Sequence, residues 1–137
     1  MVKFLYNRTY GGFGFSTVFF EKYKEVYGEE LERGSCWFAP YDRTDEKLIK
    51  IVEMISCKAS SSDHCSIGIV DVDEKLIQYA DVDEYDGKER VYINWNDAFR
   101  QLLDDVITYG SLTDEHKVKY DMLNDMKRNY RITELKL

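Results

Sequence analysis

The sequence predicts an α+β fold: a small mixed sheet with two helices in the N-terminal part, followed by a two-helix C-terminal extension. Three observations carry this expectation. The chain has 137 residues, 44% of them hydrophobic and 15% aromatic, which is one domain's length with ample material for a core. Short β-type runs alternate with helically spaced apolar stripes up to about Asn94. After that point two longer amphipathic stretches follow with no strand between them. Residues 1–137 are therefore read as a single domain, an α/β core over 1–95 carrying a helical extension over 96–137.

Val2–Tyr6 is short and alternating, a strand. A glycine-dense loop follows, and Ser16 is placed to cap a helix whose Phe19, Phe20, Tyr23, Val26 and Tyr27 recur at helical spacing. Gly28 is the expected stop. Glu29–Gly34 is polar loop, and Ser35–Ala39 is a candidate strand ended by Pro40. Thr44 is the expected cap of a second helix. Asp45 and Glu46 fall in its first turn, where the helix dipole favours acids, and Leu48, Ile51, Val52 and Ile55 form its buried stripe. Lys58–Asp63 is small and polar, a loop. Ser66–Val72 is β-branched and apolar, a buried strand, and Leu76–Tyr79 is another strand candidate. Asp86-Gly87 signals a hairpin, with Glu89–Ile93 returning. Asn96 is the expected cap of a third helix, striped by Phe99, Leu102, Leu103, Val106 and Ile107 and closed by Gly110. Thr113 starts a fourth, with Val118, Met122 and Met126 on one side. Arg131–Leu137 reads as a terminal strand or a tail.

Charge narrows the partners. The net charge of −7 disfavours non-specific binding to nucleic acid, which needs Lys and Arg against phosphates, and disfavours an anionic membrane surface. The N-terminus has no secretory pattern and no stretch approaches the length of a membrane span, so no membrane partner is expected. The three cysteines, Cys36, Cys57 and Cys65, are odd in number and not tightly paired, which points to reduced thiols.

Four constellations invite chemistry. Gly11, Gly12 and Gly14 lie between a strand and a helix start, where backbone N–H groups and the helix dipole favour an anion, with Arg8 and Ser16 as added donors. The spacing matches neither a dinucleotide fingerprint nor a P-loop, and a tight turn packing Tyr10, Phe13 and Phe15 explains it as well. Arg43-Thr44-Asp45 opens a helix, and Arg43 can fork onto the same anion or simply sit in solvent beside a cap. Asp81, Asp83 and Asp86 suggest a metal, but the register is wrong for a calcium loop, and alternating acids on strands form a solvated face. Cys57, His64 and Cys65 lie near one another without the close spacing of a structural zinc site, so unreactive thiols are expected. There is no G-x-S-x-G nucleophile elbow. No catalytic residue, metal or cofactor is assigned.

The run Asn7-Arg8-Thr9-Tyr10-Gly11-Gly12-Phe13-Gly14-Phe15-Ser16 resembles the opening of a small family encoded by bacteriophages and large DNA viruses. Arg43-x-Asp45 leading to Val52-Glu53, then Glu84-Tyr85-Asp86-Gly87-Lys88-Glu89 and Trp95, match further elements of that family in order. The likeness covers about residues 2–95. It departs at Asp71-Val72-Asp73, where the family often carries a proline, and the tail after Asn96 is an addition. The resemblance implies a virus-encoded protein acting in the cytoplasm of an infected host, with no established activity attached. These polar elements are expected to converge on one pocket. The expected ligand-binding set is Asn7, Arg8, Tyr10, Gly11, Gly12, Ser16, Arg43, Asp45, Glu84, Tyr85, Asp86 and Glu89. The expected function is capture of a small phosphate-bearing host molecule, a nucleotide-type signal, to counter host defence. The alternatives are a protein–protein interaction factor that inhibits or redirects a host protein, and a metal-assisted enzyme acting on a nucleotide.

Overall fold

The computed structural model describes residues 1–34 and 39–136. The chain is α+β. Its described elements are β1 (Val2–Asn7), α1 (Thr17–Tyr27), α2 (Glu46–Ile55), α3 (Cys57–Ser60), β2 (Ile67–Val72), β3 (Ala80–Tyr85), β4 (Lys88–Ile93), α4 (Trp95–Tyr109), α5 (Asp114–Asn129) and β5 (Thr133–Leu135). The strands form two antiparallel sheets rather than one mixed sheet. One is three-stranded in the order β1-β2-β5, and the other is the β3–β4 hairpin.

Strand alternation explains the layering. Side chains along β1 point to opposite faces in turn. Leu5, with Ile67 and Ile69 of β2, enters a core beneath α1–α3 that includes Phe15, Phe19, Ile51 and Val52. Phe4 and Tyr6, with Val70 and Val72, enter a second core beneath α4 and α5 that includes Ala98, Leu102 and Leu123. The three-stranded sheet is thus covered on both faces, which explains why β2 is apolar at nearly every position. Each fully buried Leu or Ile contributes roughly 1.5–3 kcal/mol over its exposed state. The first core is dense in aromatics: Phe15 stacks on Phe19 at 3.8 Å between ring centroids and meets Phe13 edge-on at 5.1 Å.

Helix ends show where local chemistry was legible. Ser16 caps α1 by accepting from Phe19 N at 3.1 Å, and Gly28 ends it in the left-handed region. Gly110 closes α4 in the same way, and Thr113 caps α5 in a reciprocal pair with His116. Asp45, not Thr44, caps α2, because Thr44 donates its hydroxyl to Asp42 Oδ1 at 2.8 Å and leaves the cap to the following carboxylate. Asn94, not Asn96, caps α4 through Asp97 N at 3.0 Å, so Trp95 already lies inside the helix.

Three further expectations need correction. Leu76–Tyr79 is not a strand: Ile77–Tyr79 forms a 3₁₀ turn that drops Leu76 and Tyr79 into the second core. The expected loop at Lys58–Asp63 begins inside the short α3, a third N-terminal helix that Ser56 caps through Ala59 N. Leu103, Ile107 and Val118 are exposed rather than on the buried stripes of α4 and α5. Of the two readings of Arg131–Leu137 the strand holds: β5 pairs with β2 from Ile69 to Asp71. The strand expected at Ser35–Ala39 lies largely outside the described residues.

Leu123 has no solvent exposure and ties α5 to the sheet. Leu123→Ala is expected to lower the unfolding free energy by about 2–5 kcal/mol in urea, as core truncations do. Near- and far-ultraviolet circular dichroism should lose signal in one coincident transition. Two separated transitions would mean that the helical pair melts on its own.

Candidate functional site: a polar lock and the surfaces it leaves exposed

Asn7 closes β1 and is fully buried, so each of its polar groups needs a partner. Its side-chain amide donates to Thr9 O at 2.6 Å and Gly87 O at 2.7 Å, and its Oδ1 accepts from Ser66 N at 3.0 Å and Thr9 N at 3.2 Å. Its own backbone N donates to Glu89 Oε1 at 2.8 Å. One residue therefore joins the glycine loop, the start of β2 and the hairpin turn.

Arg43 completes the junction. Its Nη1 and Nη2 donate to Glu89 Oε1 and Oε2 at 2.7 and 2.8 Å, a two-pronged fork with the side chains only 15% and 9% exposed. Nη1 also donates to Leu5 O at 3.3 Å, and Arg43 O accepts from Leu5 N at 2.8 Å. Arg43 Cζ lies 3.7 Å from the centroid of the Phe13 ring, over its face, so the cation is held by both the carboxylate and the aromatic ring.

The glycines serve close approach. Gly87, at φ +86, lies so near the loop that a Cβ there would stand 2.2 Å from Gly12 N and 2.7 Å from Gly11 N. Gly11, at φ +111, would drive a Cβ to 2.6 Å from His64 O. Gly11 N donates to Asp86 O at 3.2 Å. The hairpin tip is thus seated on the glycine loop. Asp86 and Gly87, both at positive φ, form the two-residue turn that its sequence announces, and Glu84 Oε1 accepts from Gly87 N at 2.8 Å.

The structure brings together Asn7, Gly11, Gly12, Arg43, Asp86 and Glu89, with Glu84 bracing the turn. Three of the expected site residues lie elsewhere in other roles. Arg8 follows Tyr6 over Gly68 and pairs with Glu134 at 3.2 Å, where Tyr6 also donates at 2.8 Å. Ser16 is occupied as the α1 cap and donates to Ala59 O at 2.5 Å. Asp45 is the α2 cap. Arg8 and Arg43 consequently take separate carboxylates instead of sharing one anion. Phe13 and Ser66, which sequence reading did not assign to a site, are integral to the lock. Phe13 sits between two glycines of the matched motif, and that is the only signal it offers.

Two surfaces lie beside this junction, and a third lies apart from it over the second core. Tyr10 and Tyr85 are 55% and 77% exposed and meet edge-on with centroids 6.4 Å apart, and Lys88 Nζ lies 5.6 Å from the Tyr10 ring. Beside the glycine loop is a small cavity of about 170 Å³ edged by Gly11, Gly12, Gly14, Tyr41, Ser62 and His64. Between α4 and α5 runs a groove of about 570 Å³, walled by Phe99, Leu102, Leu103, Val106, Leu112 and Tyr120.

The acids and thiols hold no assembled chemistry. Asp81 Oδ1 accepts from Val82 N at 2.8 Å, and Asp83 lies 3.6 Å from the Arg90 guanidinium. Among the described residues no three His, Cys, Asp or Glu side chains are grouped to hold a metal ion. Cys57 and Cys65 are free and buried. Burial pushes the Cys65 thiol up to about 11, outweighing the lowering by the facing Gly14 amide, Arg43 and Arg8, and burial also raises Cys57. Cys36 lies outside the described residues. Among the described residues no helix is long and apolar enough to cross a membrane.

No family model matches the chain, and no curated protein or solved structure shows significant similarity to it.

Removing one partner of a buried pair strands the other charge. Glu89→Ala is therefore expected to cost about 3–5 kcal/mol in denaturant unfolding. Arg43→Lys, which keeps the charge but loses the fork and the guanidinium contact with Phe13, should cost less but measurably. A Glu89→Ala protein of unchanged stability would mean that the lock does not hold the fold. The thiols give a second test. A thiol whose folded value is raised stays protonated, and so unreactive, until pH climbs toward that value. In a Cys36→Ser background, Cys57 and Cys65 should resist a thiol reagent at pH 8 and react fully once urea unfolds the chain. Rapid labelling of the native protein would contradict their burial.

Proposed function

We propose that this chain is a virus-encoded interaction protein that inhibits or redirects a host protein in the cytoplasm of the infected cell, gripping it with the tip of the β3–β4 hairpin. One observation carries this reading: the polar residues that sequence analysis gathers into a ligand site are instead turned on one another, and together they hold Tyr10 and Tyr85 out into solvent. Exposed tyrosines on a rigid base are strong anchors, because little side-chain and loop freedom remains to be lost on binding. Asp81, Asp83, Glu84 and Asp86 share β3 and its turn with Tyr85, against Lys88 and Arg90 on β4, so a target with a basic face is the best electrostatic match. The viral setting rests on the motif resemblance alone.

A second reading keeps the phosphate-bearing small molecule, a nucleotide-type signal captured to counter host defence. The cavity at the glycine loop favours it, with Ser62 and His64 at its edge. Its volume falls below the roughly 300–1,000 Å³ of ordinary ligand pockets, and Arg43 is already engaged by Glu89, so it stands second.

The two are separable with one set of variants. Tyr10→Ala with Tyr85→Ala should leave the melting temperature nearly unchanged and weaken binding of the purified host partner by about 30-fold or more, the ~2 kcal/mol threshold of an anchoring residue. His64→Ala should leave that binding intact. A thermal shift with a nucleotide that His64→Ala abolishes, and the tyrosine pair does not, would instead favour the small-molecule reading.

A further inference from the structure

We propose that Tyr10 and Tyr85 form a cation-binding corner that takes an arginine side chain presented on a basic segment of the host protein. The corner belongs to the hairpin tip, so the proposal rests on the reading of that tip as a host-binding surface. The lock builds it. Tyr10 precedes Gly11, Tyr85 precedes Asp86, and Gly11 N donates to Asp86 O at 3.2 Å. One backbone hydrogen bond between their chain neighbours thus brings together two tyrosines that are far apart in sequence. Gly87, seated on Gly11 and Gly12 with no room for a Cβ, holds them there. Their ring planes meet at 74° with centroids 6.4 Å apart, and the rings stay 55% and 77% exposed, so two aromatic walls stand nearly at right angles in water. Such walls offer their π faces to a cation, which is the chemistry of an aromatic cage.

A cation already marks the seat. Lys88 pairs with Tyr85 across the hairpin, and its Nζ lies 5.6 Å from the centroid of the Tyr10 ring. That is near the ~6 Å outer limit of such an attraction, and Lys88 is exposed, so it holds the face loosely and can be displaced. The tight version of the contact lies buried in the same chain. Arg43 Cζ stands 3.7 Å from the Phe13 centroid while the guanidinium forks onto Glu89. Carboxylates accompany the tyrosine corner too, because the exposed Glu84 and Asp86 flank Tyr85 in the chain. A guanidinium suits this combination better than an ammonium. It is planar and weakly hydrated, and it keeps N–H donors on its rim while its face lies on a ring. An acidic occupant would be repelled by the carboxylates and an apolar one would leave them unpaired. The charge therefore selects a basic segment, and the rings select arginine within it.

Proton NMR of the full chain, titrated with an Arg-Gly repeat octapeptide and with its Lys-Gly counterpart, tests the corner. The arginine peptide is expected to bind roughly 3-fold tighter or more and to shift the ring signals of Tyr10 and Tyr85. Tyr10→Leu with Tyr85→Leu should leave the melting temperature nearly unchanged and bring the two peptides to equal affinity. Tyr10→Phe with Tyr85→Phe should keep the preference, since the ring faces remain. Lys88→Gln and Arg90→Gln each remove one charge, but Lys88 stands over Tyr10 and Arg90 over Tyr92, so the first should tighten the arginine peptide more than the second. Equal affinity of the two peptides for the unaltered chain would overturn the proposal. So would an arginine preference that survives the leucine pair, or equal effects of Lys88→Gln and Arg90→Gln. Loss of the host partner on Tyr10→Ala with Tyr85→Ala, in a chain that shows no arginine preference, would sink the corner alone and leave host binding standing. An arginine preference abolished by the leucine pair, with host binding untouched by the alanine pair, would support the corner and count against the host-binding reading instead.

Discussion

The fork between Arg43 and Glu89 is the constraint on which the rest of the molecule depends. It joins three segments that are far apart in sequence: the entry to α2, the outer edge of β1 and the returning strand of the hairpin. A buried ion pair gains little over a well-packed apolar pair, because desolvation offsets much of the attraction. Its value lies in geometry. A guanidinium fixed at both prongs and set over Phe13 admits one register of the hairpin against β1. Asn7 sets the same register from the other side through Gly87 O. The two-stranded β3–β4 sheet would be marginal alone, and this junction, with Asn94 N donating to Tyr79 O at 2.8 Å at its base, gives it a fixed seat.

Much of the fold could be read from sequence because the signals were local. Ser16, Gly28, Asp86-Gly87, Gly110 and Thr113 each act within a few residues of themselves, and each stands where reading along the chain puts it. The misreadings share one cause. Thr44 and Asn96 are good caps in isolation, but Asp45 and Asn94 are one or two residues away, and tertiary packing decides between neighbours of equal propensity. Leu76–Tyr79 has strand composition, yet two residues of it are needed in the second core, and a 3₁₀ turn delivers both. The β5 strand pairs across more than sixty residues with β2, a contact that no local pattern encodes.

The candidate site was legible in its membership more than in its meaning. Motif order grouped Asn7, the glycines, Arg43 and Glu89, and these do meet. Sequence could not say whether the cations and acids face a ligand or one another. That depends on a few ångströms: with Glu89 Oε1 at 2.7 Å from Arg43 Nη1 and 2.8 Å from Asn7 N, the carboxylate occupies the position an incoming anion would need. Arg8 was separated from Arg43 by the alternation of β1 itself, because a residue beside Asn7 in sequence points to the other face of the sheet.

The glycines of the loop and of the hairpin turn are accounted for by packing. Gly11 N, Gly12 N and Gly87 are packed so closely that no side chain larger than hydrogen fits between tip and loop, so the glycine content follows from seating the hairpin and does not itself require a ligand. The same seating fixes where Tyr10 and Tyr85 emerge. Asp81, Asp83, Glu84 and Asp86 share the hairpin with Tyr85, while α4 and α5 lie over the second core. Tyr85 thus stands among acids on the hairpin, whereas residues 96–137 are nearly neutral, so the two surfaces differ in the charge a partner would meet.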